Sequence, residues 1–109
     1  MLDTKLEIYI PLNLKDYAKF ESENNLHIIE DLTKMFNGLT LINANGTWIN
    51  KNGNMEFDNI TIVRIYCERE FWKNNDKAKT LFWNTIITLK EKLNQECIAY
   101  TINDKMEFY

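Results

Sequence analysis

Side chains suited to proton transfer, nucleophilic attack or metal binding are sparse in this chain of 109 residues. His27 is its only histidine. It falls in a helical segment near Glu23, Glu30 and Asp31, a spacing that suits surface ion pairing. Nothing in the sequence marks the oriented partner and cleft that a general base requires. Cys67 and Cys97 are the only cysteines, and no CxxC is present, so neither a zinc centre nor any other metal site is expected. On the strand order argued below they sit two interstrand steps apart, roughly 10 Å, too far for a disulfide. Both are expected to be small buried thiols. Gly38, Gly46 and Gly53 read as caps and turns, which leaves no glycine-rich phosphate loop. No GxSxG or paired-carboxylate motif stands out, and no cofactor is expected. Glu68-Arg69-Glu70 reads as a solvated, self-compensating charge run.

The residues that most invite a ligand lie around a hairpin. Trp48 on the outgoing strand and Glu56 on the returning one flank Asn52-Gly53. Arg64 and Tyr66 share one face of the returning strand with Ile62. An arginine beside aromatic rings on a sheet surface suits an anionic or planar ligand, and it equally suits an inter-subunit pair with Glu56. Trp48, Glu56, Arg64 and Tyr66 are therefore the candidate binding residues.

The elements that position them follow from periodicity. Leu6, Ile8, Ile10 and Leu12 alternate on one face of a strand that ends near Pro11. Asn13 with Asp16 three positions on signals a helix start. The apolar stripe from Tyr17 to Phe36 predicts one long helix, kinked or frayed near Asn24-Asn25 and capped by Asn37-Gly38. A strand over 39–49 turns at Asn52-Gly53, a two-residue hairpin signal, and Asn45-Gly46 within it reads as a bulge. The return strand runs from about Met55 to Cys67. Ala78, Leu81, Phe82, Thr85, Ile86 and Leu89 recur at helical spacing, capped by one of Asn74, Asn75 or Asp76. Cys97 to Ile102 forms the last core strand, with a short extension over 105–109. The order βαββαβ is that of the α+β ferredoxin-like split βαβ motif. It predicts one domain over 1–109: a four-stranded antiparallel sheet in the order 4-1-3-2, two helices on one face, and a long hairpin between the second and third strands.

Composition narrows the function classes. The net charge is −3 and the pI about 5.1. Arg64 and Arg69 are the only arginines and the lysines are scattered among acids, so nucleic-acid binding is disfavoured. No apolar run is long enough to span a bilayer and no leader pattern is seen, which predicts a cytoplasmic protein without a membrane partner. The sheet face turned away from the helices should be polar, yet Ile60, Ile62 and Tyr66 lie there. Apolar residues on both faces imply that both are covered. A second copy of the chain is the simplest cover, and a homo-oligomer is expected. The C-terminal extension folding back over its own sheet is the competing cover.

Phe36-Asn37-Gly38-Leu39-Thr40, then Gly46-Thr47-Trp48, Gly53 and Glu56, and later Gln95-Glu96-Cys97-Ile98-Ala99, resemble small, largely uncharacterised bacterial and phage proteins of ferredoxin-like build. Their plan is similar to that of PII-like regulators, whose subunits form rings and project a loop between strands two and three. The chain lacks the basic phosphate-gripping residues of nucleotide-binding PII proteins. The resemblance thus implies the fold and a ring-shaped assembly more than any nucleotide. On this basis the expected function is that of a non-enzymatic, oligomeric binding protein. It would contact a small molecule or protein partner through subunit interfaces and the hairpin arm. The alternatives are a cofactor-free enzyme of the dimeric ferredoxin-like type, monooxygenase- or isomerase-like, and, third, a nucleic-acid accessory protein.

Overall fold

The computed structural model describes residues Met1–Tyr109 as a mixed α+β fold with five strands and four helices. The elements, in chain order, are β1 (Thr4–Ile10), α1 (Leu14–Glu23), α2 (Ile28–Phe36), β2 (Thr40–Ile49), β3 (Met55–Cys67), α3 (Arg69–Asn74), α4 (Asp76–Lys92), β4 (Ala99–Ile102) and β5 (Lys105–Phe108). The antiparallel sheet has the order β2-β3-β1-β4-β5. Its first four strands stand in the expected 4-1-3-2 order, and the fifth extends the sheet beyond β4.

The core explains why the alternation in β1 is so regular. Leu6, Ile8 and Ile10 are wholly buried and stand opposite Ile65, Val63 and Thr61 of β3. Against this face pack Tyr17 of α1, Ile28, Leu32 and Phe36 of α2, and Ala78, Phe82, Ile86 and Leu89 of α4. An aromatic chain ties the helical layer together. It runs from Phe36 to Phe71 and Trp72, on to Phe82, and then to Trp83 and Tyr100, with ring centroids 5.0–6.5 Å apart. Two of the three tryptophans, Trp72 and Trp83, are spent on this packing.

Caps set the helix starts. The Asn13 carboxamide accepts the Asp16 amide at 2.7 Å, and that of Asn75 accepts the Ala78 amide at 2.9 Å. Asn37 closes α2 in the left-handed conformation, with φ 63°. The single long helix expected over Tyr17–Phe36 is instead two. Asn25 adopts φ 52°, which no helix interior tolerates, and α2 begins afresh at Ile28. The Glu21 carboxylate re-anchors the chain by accepting the Ile29 amide at 3.1 Å.

The hairpin departs from expectation twice. Its loop spans Asn50–Asn54 rather than two residues, because the Asn50 carboxamide accepts the amides of both Asn52 and Asn54. Asn45-Gly46 makes no bulge: the register Asn45↔Asn59, Gly46↔Asp58, Thr47↔Phe57 is unbroken. A Cβ at position 46 would lie 2.9 Å from Ile60 Cδ1, the movable end of that side chain, so a larger residue there requires Ile60 to shift. At the other edge, Asn103 and Asp104 both take positive φ and close a two-residue turn into β5. That turn is pinned to β1 by reciprocal bonds between Asn103 and the Lys5 backbone, both 2.8 Å, and by a Lys5–Asp104 ion pair.

β5 therefore lies beside the sheet instead of folding back across it, and the open face keeps Tyr66, Met106 and Phe108 exposed. The distal β2–β3 arm stands clear of the helices, with Trp48, Ile49, Met55 and Phe57 exposed. No helix is long and apolar enough to cross a membrane.

Truncating Phe82, the hub of the aromatic chain, should lower stability by about 3–5 kcal/mol, read as a shifted urea midpoint at constant m-value. Tyr17→Phe should be much milder. The buried Tyr17 hydroxyl makes no hydrogen bond of good geometry, with the Glu21 carboxylate as its one polar neighbour, and removing it should change stability by no more than about 1 kcal/mol.

Candidate functional site

β3 is longer than the strand it pairs with. β2 begins at Thr40 opposite Arg64, so Ile65, Tyr66 and Cys67 run on with no β2 partner. The α2–β2 turn arches over this notch because Asn37 and Gly38 both take positive φ, 63° and 137°. The result is a half-open cleft of about 460 Å³, within the roughly 300–1,000 Å³ typical of small-molecule sites. Met35, Phe36, Leu39 and Phe71 supply its apolar wall, and Thr40, Arg64, Tyr66 and Glu68 its polar rim. Cys67 also lines it; the residue is 4% exposed, and burial pushes its thiol pKa up.

Arg64 reaches this cleft from a second cluster on the open sheet face. Glu7 lies mid-strand in β1, directly opposite Arg64 of β3 and Thr101 of β4. It is only 3% exposed. Its carboxylate accepts Arg64 Nε at 2.7 Å on Oε2, and Thr101 Oγ1 at 3.0 Å and Tyr9 Oη at 3.1 Å on Oε1. Burial pushes the Glu7 pKa up, but the hydrogen bonds from Arg64, Thr101 and Tyr9 outweigh it and hold the group below the ordinary glutamate value. Tyr9 is shifted up, by burial and by its bond to the carboxylate. The terminal nitrogens of Arg64 make no intramolecular hydrogen bond, and its side chain is one-third exposed.

Of the four residues singled out in the sequence, the structure brings two together at the cleft, Arg64 and Tyr66. Trp48 and Glu56 form a cross-strand pair on the same open face, but near the tip of the arm. They lie eight residues along β3 from Arg64, about 26 Å at the rise of an extended strand. Arg64 pairs within the chain with Glu7 and not with Glu56. Glu7 itself escaped sequence reasoning, since an acid alternating with apolar residues reads as solvent-facing. The available signal was positional: the 4-1-3-2 order puts Glu7 in the central strand, beside the only cation of β3.

His27 is exposed at the α1–α2 junction and makes no capping bond. Both cysteines are free, but Cys97 is exposed, because it precedes β4 instead of lying within it. Glu68-Arg69-Glu70 is not a loose charge run. It opens α3, where Asp3 accepts both the Arg69 amide and its guanidinium, at 2.8 and 3.2 Å. No group of three or more His, Cys, Asp or Glu side chains converges as a metal site would require.

No protein-family model matches the sequence, and no curated protein matches it. Among solved structures, a phage S-adenosylmethionine (SAM) lyase in complex with S-methyl-5'-thioadenosine superimposes with a TM-score of 0.59. The alignment covers 97% of this chain and 88% of that one, at 13% identity. A phage SAM lyase in the apo state aligns over 97% and 86%, at 15% identity and a TM-score of 0.47. The likeness is one of fold. It overturns the expectation of a non-enzymatic regulator, which was drawn from the lack of a catalytic constellation and from the PII-like plan. The solved protein that shares this architecture is an enzyme, which favours the enzymatic alternative over the regulator, though as a lyase it does not match the monooxygenase- or isomerase-like type expected.

The Glu7 cluster makes stability pH-dependent in a definite direction. Its folded pKa is below the unfolded one, so its stabilisation is complete above the unfolded glutamate pKa of about 4.3 and is lost as pH falls through the folded value. Glu7→Gln should cost about 2 kcal/mol at pH 7. The gap to wild type should close as urea titrations are carried from pH 7 to pH 3.

Proposed function

We propose that the chain is an enzyme that cleaves S-adenosylmethionine and releases S-methyl-5'-thioadenosine in the cleft bounded by the α2–β2 turn and the end of β3. The observation that carries this reading is an apolar cleft with one unpaired guanidinium fork at its rim, on a fold shared with a phage SAM lyase. Arg64 receives the substrate carboxylate, because its free terminal nitrogens match the planar anion. The Tyr66 ring seats the sulfonium by a cation–π contact. Phe36 and Phe71, packed against each other, form one apolar wall for the adenosine, and the unpaired β3 backbone beyond Arg64 offers main-chain groups to the adenine edge.

The reaction places few demands on side chains. A carboxylate oxygen of the substrate attacks its own Cγ, the Cγ–S bond breaks, and the bonding pair passes to sulfur. The products are the neutral thioether S-methyl-5'-thioadenosine and homoserine lactone, whose ammonium keeps its proton. No proton, water or external nucleophile takes part. Opposite charges are annihilated on the way to the transition state, so a cleft drier than water favours the step. Folding the substrate so that carboxylate and Cγ meet supplies the rest.

The uncovered sheet face belongs to the same proposal. The chain acts as a homo-oligomer in which a second copy covers the half-buried Ile42, Ile60 and Ile62, with Trp48 and Glu56 of the arm in the contact and Tyr66 left to the cleft. This ring-like assembly is the one the resemblance to PII-like proteins implies, on a ferredoxin-like sheet lengthened by β5.

Incubation with S-adenosylmethionine should yield S-methyl-5'-thioadenosine by chromatography and mass spectrometry. Absence of both turnover and calorimetric binding overturns the reading. Arg64→Ala should raise KM on the order of tenfold to a hundredfold, the loss of a charge-assisted hydrogen bond. Light scattering coupled to size exclusion should report a multiple of the 13.1 kDa chain mass, and a strict monomer overturns the assembly.

A further inference from the structure

Arg64 is held by one atom, and that atom determines what the rest of the group can do. Its Nε–H is committed to Glu7 Oε2 at 2.7 Å. The two terminal nitrogens are left without an intramolecular partner at the rim of the cleft. Glu7 is in turn tethered on every side. Strands pair with β1 on both sides, and its second oxygen is fastened by Thr101 from β4 and Tyr9 from its own strand. A side chain with so many rotatable bonds loses much conformational entropy when it orders around a ligand. A guanidinium already clamped at Nε has lost most of that freedom before the ligand arrives.

Charge adds a selection. The Glu7 carboxylate neutralises Arg64 on its inner side, so the fork meets an incoming anion as a directional donor pair rather than as a loose cation. The other acid at the rim, Glu68, lies beyond the Arg64–Tyr66 stretch. It is paired with the N-terminal ammonium of Met1 at 3.5 Å, which leaves the Arg64 fork as the charged group at the rim free to meet an anion.

We infer that Glu7 is the positioning residue of this site: it sits outside the cleft, touches no ligand, and aims the Arg64 fork at the carboxylate of an amino-acid-bearing ligand. The inference rests on the reading that Arg64 receives the substrate carboxylate. Its test uses two ligands that differ in that group. S-Adenosylhomocysteine carries the carboxylate on a neutral sulfur that this chemistry does not cleave, and S-methyl-5'-thioadenosine lacks it. Calorimetry on the full chain should give tighter binding of S-adenosylhomocysteine than of S-methyl-5'-thioadenosine. In Glu7→Gln that ratio should fall at least fivefold, while the affinity for S-methyl-5'-thioadenosine stays within twofold of wild type. A generally damaged fold would weaken both ligands alike, so the ratio separates aiming from structure. Thr101→Val keeps the Glu7 charge but removes one of its tethers. It should lower the ratio in the same sense by a smaller factor, and it serves where Glu7→Gln does not fold. An unchanged ratio in the folded variants overturns the inference and leaves the proposed reaction standing. A wild-type chain that binds both ligands equally overturns the role of Arg64 and the inference with it. Binding of neither ligand removes the site itself.

Discussion

A carboxylate sealed inside a sheet must be met by donors, and meeting them constrains much of the rest of this molecule. Glu7 is almost wholly buried in the central strand, where an uncompensated charge is destabilising by several kcal/mol. Its three donors come from β3, from β4 and from β1 itself. The pairing is met in one register only, because a slip of one residue turns Glu7 into the helical core and Leu6 or Ile8 out of it. The same atom contacts therefore lock the sheet order and deliver Arg64 to the notch where β3 outruns β2. Fold and site share one electrostatic requirement.

The two faces of the sheet meet different requirements. On the helical face, large apolar side chains interlock and the aromatic chain from Phe36 to Tyr100 joins α2, α3, α4 and β4. On the open face, the Glu7 cluster occupies the centre while Ile42, Ile60, Ile62 and Tyr66 surround it. A polar cluster inside an apolar field suits a surface that is covered in use, since water would otherwise compete for its hydrogen bonds. β5 adds width to this face without shielding it.

Much of the architecture was legible because local signals and tertiary packing agree. The alternation of Leu6, Ile8 and Ile10, the Asn13 and Asn75 caps, the Asn37-Gly38 stop and the stripe from Ala78 to Leu89 each reappear in place. Discrepancies arose where a side chain overruled a local pattern. A carboxylate reaching Ile29 stabilises the restart of α2, and Asn50 reorganises the loop that Asn52-Gly53 would have closed alone. Gly46 reads as a turn but relieves contact with Ile60 across the strands. The fifth strand was an extension without a partner until Asn103 bonded to Lys5. The candidate site was half legible for a related reason. Arg64 and Tyr66 are neighbours on one strand face, a relation that period-two spacing reports. Glu7 meets Arg64 only through long-range pairing, and no local window contains both.

The scarcity of catalytic side chains pointed the sequence reading away from an enzyme, and the chemistry proposed for the cleft removes the ground for that inference. A histidine or an activated nucleophile is required where a proton must move or a poor leaving group must be displaced. Cleavage of a sulfonium by its own carboxylate has neither requirement: the leaving group departs neutral, and nucleophile and electrophile arrive in one molecule. What remains for the protein is to hold that molecule folded, away from water, with its charges oriented. Under the proposed reading those tasks fall to an apolar wall, an aromatic ring and an arginine fixed at one end. Each is an ordinary structural residue by type, so composition cannot distinguish them from the core. Only their convergence at the unpaired end of β3 does.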